Sequence, residues 1–355
     1  MVHSTTAGGG VRDSLFMLTR AILLVIGPGF LIAGCYFLTV GRPSQKVQAA
    51  PTISSLHREF DIGELHAGVE EGLAPATSET AKREQRRLTI VCDELARQLD
   101  QELNARDRII VRPPFVIGGD LSEAEMDRYY VETILPTKRA LDLAYFDRSP
   151  DTPLTLLLYS NERSYRDVAW KLDRRNTANY YGYYIRTKRR IVANIGTGDG
   201  TLAHELTHAL GHFDFPNMPE WFDEGLASLY EEAEFSDDGL QLNGLSNWRL
   251  NHLLSAMQDR RLGNLESLVS SRNIREEQQA VEYAHARYFC LYLQERGLLP
   301  FFYRKFRDRA TSDPSGLRTL CEMLGTENLD PVDRNFRQWV IALYEQVRKT
   351  SPQVR

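Results

Sequence analysis

Apolar and polar positions along the chain alternate between two rhythms. Leu88, Val91, Leu95 and Leu99 recur every three or four residues, which predicts a helix over 84–105. Residues 108–117 carry Ile-Ile-Val and Phe-Val-Ile around Pro113-Pro114, the pattern of an extended segment broken at the prolines. Ser122 followed by Glu125 forms a capping-box pattern opening a helix to about Phe146, with a bend expected at Pro136. Residues 153–159 (PLTLLLY) predict a short apolar strand, and Asn161 caps a helix over 162–172. Residues 180–185 and 190–195 read as two more strands, joined by a basic turn at 187–189. A glycine-rich break at 196–200 precedes a helix starting near Leu202, and beyond Pro219 the pattern is almost wholly helical. The order predicts an α+β fold over 83–349, with an α+β part (83–215) and a helical part (216–349).

The N-terminal region reads differently. After a charged segment (1–20), residues 21–40 (AILLVIGPGFLIAGCYFLTV) carry no charge over twenty positions, enough for a transmembrane anchor. Arg12 and Arg20 before it balance Arg42 and Lys46 after it, so charge does not set its orientation. A competing expectation is a lipoprotein signal: Ile32-Ala33-Gly34-Cys35 resembles a lipobox, with Cys35 as the lipidated residue. A conventionally cleaved signal is a third. All three place the bulk of the chain outside the cytoplasm, periplasmic or extracellular, and the first two attach it to a membrane. Residues 41–82 lack sustained periodicity and read as a flexible linker.

Composition narrows the class. A formal net charge of −5 argues against a nucleic-acid partner. The cysteines, at 35, 92, 290 and 321, include no CxxC pair; they fit buried small hydrophobes better than a disulfide framework or a thiolate metal site.

The chemistry concentrates in residues 204–208, HELTH. Positions i and i+4 share a helix face, so His204 and His208 can present imidazoles to one Zn²⁺, and Glu205 can act as general base toward water. A catalytic zinc needs a third protein ligand. Asp214 completes HExxHxxGxxD, the spacing of a metzincin. Glu224 lies sixteen positions past His208 in PEWFDEGLASLYEE. Asp214 and His212 otherwise read as capping the end of the motif helix, and Glu220 as a first-turn acid of the next.

The pairing of HELTHAL with PEWFDEGLA resembles the gluzincin metallopeptidases, including the peptidase-MA-like families; Trp221, Glu224, Gly225 and Ala227 match their W-x-x-E-G-x-A segment. The resemblance implies a zincin-like catalytic domain with a mixed sheet and an active-site helix, Glu224 as third ligand, and Zn²⁺ as cofactor. Residues 283–293 (YAHARYFCLYL) resemble the helix that begins Y-x-K-G in gluzincin aminopeptidases, which implies that Tyr283 stabilises an oxyanion; His285 and Ala286 stand in place of Lys and Gly. His285 is a weaker candidate for that donor. Residues 191–195 (IVANI) correspond in order to the zincin edge strand that pairs with substrate, and no GxMEN-like sequence is present.

The expected activity is hydrolysis of peptide bonds in an extracytoplasmic protein or peptide, with water as nucleophile, Glu205 transferring its proton to the leaving amine, and Tyr283 steadying the oxyanion. Two alternatives remain: a metzincin-like peptidase using Asp214, and a non-catalytic zincin-fold binding or scaffold domain.

Overall fold

The computed structural model describes residues 78–350, apart from 179, 272 and 275–277. The apolar stretch 21–40, Cys35 and the linker as far as 77 lie outside the described residues. Residues 78–82, expected as linker, instead begin the first helix, α1 (Ser78–Glu102).

A hairpin follows, β1 (Arg108–Arg112) and β2 (Phe115–Gly119), reversing at the two prolines. Ser122 then opens α2 (Glu123–Tyr129) through a complete capping box: Ser122 Oγ accepts from Glu125 N–H at 3.3 Å, and the Glu125 carboxylate accepts from Ser122 N–H at 2.9 Å. The long helix expected to reach Phe146 is interrupted by a π-helical turn, Tyr130–Ile134, before α3 (Leu135–Ala144). Pro136 sits in the first turn of α3. The π turn shifts the hydrogen-bond register just where the proline removes a donor.

β3 (Leu154–Tyr159), α4 (Glu162–Asp173), β4 (Gly182–Ile185) and β5 (Arg190–Asn194) complete a five-stranded sheet of order β1-β2-β3-β5-β4. The inner strands β2, β3 and β5 are parallel, and β1 and β4 run antiparallel at the two edges. β3 is buried on both faces, which explains its unbroken apolar run. Its alternate residues divide two cores. Leu157 and Tyr159 pack with Val116, Val192 and Tyr183 against α1 and α4, through Cys92, Leu99, Tyr165 and Val168. Leu154, Leu156 and Leu158 face the larger core, shared with α5 (Gly200–Asp214) and the C-terminal helices.

Residues 191–195 were expected at the sheet edge, but β5 lies between β3 and β4, and β4 is the edge strand. Chain order cannot reveal this, because after α4 the chain enters at the edge as β4 and then turns back as β5, which inserts between β4 and β3. Asn194 N–H donates to Tyr181 C=O at 2.7 Å, so the bonded register falls on odd residues of β4. The backbone polar groups of Gly182 and Tyr184 therefore face the open edge.

The C-terminal part comprises α6 (Glu220–Leu229), a small hairpin of β6 (Ala233–Phe235) and β7 (Leu242–Gly244), and then α7 (Arg249–Gln258), α8 (Leu265–Ser270), α9 (Gln279–Gln294), α10 (Leu299–Arg309), α11 (Leu317–Leu324) and α12 (Asp330–Thr350). This is the α+β architecture with a helical C-terminal part that the pattern predicts. α6 and α9 approach closely because Gly225 presents no side chain: a Cβ there would lie 2.9 Å from both Ala286 O and Cys290 Sγ. Among the described residues, no helix is long and apolar enough to cross a membrane.

Candidate metal centre

The site is built where α5 and α6 meet. α5 starts after a 3₁₀ turn (Ile195–Thr197) whose entry is fixed by Asn194, its side chain accepting from Gly196 N–H at 3.1 Å. At Gly200 a Cβ would lie 2.1 Å from Glu231 O, so glycine is what lets the first turn of α5 approach the end of α6. Leu202, Leu206, Ala209 and Leu210 are buried in the larger core and lock the helix rotation. That rotation sends His204 and His208 toward α6, with their Nε2 atoms 3.1 Å apart.

From α6, Glu224 Oε2 lies 3.7 Å from His204 Nε2 and 3.5 Å from His208 Nε2. The ligand atoms of His204, His208 and Glu224 all fall within 4.8 Å of one another, close enough to hold one metal ion. Glu224 Oε2 is buried without a hydrogen-bond partner. A buried carboxylate oxygen left unpaired among imidazole nitrogens is costly unless a cation completes it. Burial works against ionisation of Glu224, but His208 and His204 hold its pKa below the usual carboxylate value.

A further set of carboxylates braces the imidazoles. His208 Nδ1 lies 2.7 Å from Asp223 Oδ1, and the other oxygen of Asp223 lies 2.8 Å from His212 Nε2. Burial disfavours imidazolium at His208, yet Asp223 and Glu224 raise its pKa well above the usual value. His204 Nδ1 lies 3.2 Å from Glu231 Oε1 without forming a hydrogen bond. Glu231 is itself fixed by the guanidinium of Arg249 at 2.7 and 2.8 Å. The Asp223 carboxylate on Nδ1 fixes the orientation of the His208 ring so that its Nε2 faces Glu224.

Glu205 is buried beside this group. Burial raises its pKa, with the charges of His204 and His208 opposing. It packs under the edge strand: a Cβ on Gly182 would lie 3.4 Å from Glu205 Cγ. Tyr283 arrives from α9 close to Glu224, and burial followed by the Glu224 charge pushes its pKa up.

Other expected residues are placed elsewhere. Asp214 is not among the metal-facing groups: it accepts from the backbone N–H of Asp147 and Arg148 at 3.0 and 2.9 Å, from Tyr303 Oη at 3.1 Å and from Arg307 at 2.8 Å. Those four donors occupy its carboxylate and turn it toward α10, away from the cluster of His204, His208 and Glu224. His285 is buried and stacks on Phe336 of α12 with ring centroids 5.6 Å apart, so it faces the helical core and not the imidazole pair. His212, expected at a helix cap, is drawn to Asp223, and with His208 these three form a second close group. Glu220 does lie in the first turn of α6, where it accepts from Ile274 N–H at 2.7 Å.

Asp223 and Glu231 were missed in the sequence. One signal existed: His212 continues the i+4 spacing from His208; Glu231 lies just past the end of α6, where helical spacing gives no lead. No protein-family model matches the chain, and no curated protein matches it.

Proposed function

We propose that the protein is a zinc-dependent peptidase of the gluzincin kind, acting on peptides or proteins outside the cytoplasm and attached to a membrane through residues 21–40. The observation that carries this reading is the convergence of His204 Nε2, His208 Nε2 and the unpartnered Glu224 Oε2, with Glu205 buried alongside. Two imidazoles and one carboxylate suit zinc, and the Asp223 carboxylate behind His208 matches the way such ligands are oriented. A zinc ion held there would supply a Lewis acid that polarises a carbonyl and makes water more acidic.

The chain's own residues supply the rest. Gly182 and Tyr184 offer backbone N–H and C=O groups on an open edge, so an extended peptide can add to β4 as a further strand, directly above Glu205. Glu205, its pKa raised by burial, takes a proton from water and gives it to the leaving amine. Tyr283, close to Glu224, donates to the developing oxyanion.

The test is hydrolysis of a quenched-fluorescent peptide library by the zinc-loaded chain and by Glu205→Gln. Loss of roughly 100-fold or more in rate, with zinc content and melting temperature unchanged, is the expected result. Full activity in Glu205→Gln would overturn the mechanism.

A further inference from the structure

The edge strand is flanked by unneutralised positive charge. Residues 171–190 carry seven Lys or Arg against one Asp, in a chain whose net charge is −5. Asp173, at the end of α4, ties this region together: its carboxylate takes Lys188 Nζ at 2.7 Å and also Arg190. The clamp brings the α4 terminus, with Arg174 and Arg175, against the β4–β5 turn, with Arg186, Lys188 and Arg189. All five of these cations are exposed. Among the described residues, Arg174, Arg175, Arg186 and Arg189 have no acidic partner. Their guanidiniums rest on carbonyls or rings instead: Arg186 on Pro216 O at 2.6 Å, Arg189 at 5.9 Å from the Phe213 ring centroid, and Arg175 at 4.9 Å from that of Tyr183.

These contacts divide the cations between the two faces of β4. Phe213 and Pro216 lie at the end of α5, so Arg186 and Arg189 stand on the face that holds the imidazoles. The charges of Arg186 and Arg189 reach Tyr184 on β4, whose ring lies 5.7 Å from that of His212. Tyr183 packs on the opposite face with Tyr165 of α4, and Arg175 covers it there. A peptide added along β4 turns successive side chains to opposite faces. Positive charge waits on both.

We propose that the Ile185 end of β4 is a subsite for a run of consecutive acidic residues in an extended peptide, read by Arg186 and Arg189 on one face and by Arg174, Arg175 and Lys188 on the other. The inference rests on the peptidase reading only in taking β4 as the substrate strand. Guanidiniums already oriented by rings and carbonyls lose less freedom on meeting a carboxylate than free ones, and they offer two parallel donors.

The test measures binding to the full chain carrying Glu205→Gln, so that turnover does not intervene. The probes are two fluorescent peptides identical except for four consecutive glutamates in one and four glutamines in the other. The glutamate peptide is expected to bind about fivefold more tightly at low salt, with the advantage shrinking at about 0.5 M salt. Arg186→Glu with Arg189→Glu should abolish or reverse the preference. Arg174→Glu with Arg175→Glu, on the other face, gives an independent reversal if circular dichroism shows the first pair misfolded. Equal binding of the two peptides, or a preference surviving both charge reversals, would overturn the inference. So would binding to anionic lipid vesicles without discrimination between the peptides, which would assign the patch to a membrane surface. Cleavage by the wild type with no acidic preference removes this subsite and leaves the peptidase reading standing. Acidic preference with no cleavage of any peptide supports the subsite and removes the peptidase reading.

Discussion

His208 Nδ1 and Asp223 Oδ1 lie 2.7 Å apart, and this contact decides which way the central imidazole faces. With Nδ1 held by a carboxylate, Nε2 is left for Glu224 and His204. Asp223→Asn should weaken zinc binding by about 10- to 100-fold, the usual consequence of removing an orienting acid behind a ligand histidine. Glu231→Gln should act similarly through His204, to which Glu231 Oε1 lies 3.2 Å away. Competition with a fluorescent chelator measures both; wild-type affinity in the two variants would show that the carboxylates do not position the rings.

Gly225 stands next to Glu224 where α6 crosses α9. A Cβ there would meet Ala286 O and Cys290 Sγ at 2.9 Å, and a backbone oxygen cannot move aside without moving its helix. Gly225→Ala should therefore cost about 1–3 kcal/mol of stability and also weaken zinc binding, because displacing α6 displaces Glu224. Thermal melting and chelator competition read the two effects, and a variant that melts and binds as wild type would contradict this packing.

Asp214 makes a different prediction. It joins α5 to the start of the β3 approach and to α10 through four hydrogen bonds, one from Arg307. Asp214→Ala leaves the Arg307 charge without its buried partner, a loss of roughly 3 kcal/mol. Zinc content should not change. A variant that folds normally and loses zinc would restore Asp214 as a ligand.

The parts of this site that were legible in the sequence are the local ones. His204, Glu205 and His208 share one helix, so spacing alone places them, whereas Glu224 was implied by the resemblance of the W-x-x-E-G segment. The third ligand required a choice between Glu224 and Asp214 that spacing leaves open, because both lie within reach of the end of α5. The structure places Glu224 beside both imidazoles and Asp214 among donors that come from residues up to 93 positions away. The edge strand was misplaced for the same reason: neighbours within a sheet are set by crossovers, not by chain order. His285 shows the limit of motif matching, since helix rotation turned it to Phe336.

Asp173 gives the pH dependence. Burial alone would raise its pKa, but Lys188, Tyr183 and Arg190 together hold it below the ordinary 3.8. A carboxyl ionised more readily when folded contributes stability above its unfolded pKa, and that contribution fades as pH falls toward the folded value. Asp173→Asn should therefore melt below wild type at pH 7, with the gap closing as the pH is lowered to about 3. Melting curves across that range check the sign; a gap that stays constant or widens in acid would contradict the ion cluster.

The most direct test of the metal centre is elemental analysis of the purified chain, after exposure to zinc and removal of excess, for wild type and Glu224→Ala. His204, His208 and Glu224 together predict one zinc per wild-type chain and a sharply reduced content in the variant, with both proteins folded. Undiminished zinc in Glu224→Ala, or a folded wild type that takes up none, would contradict the proposed site.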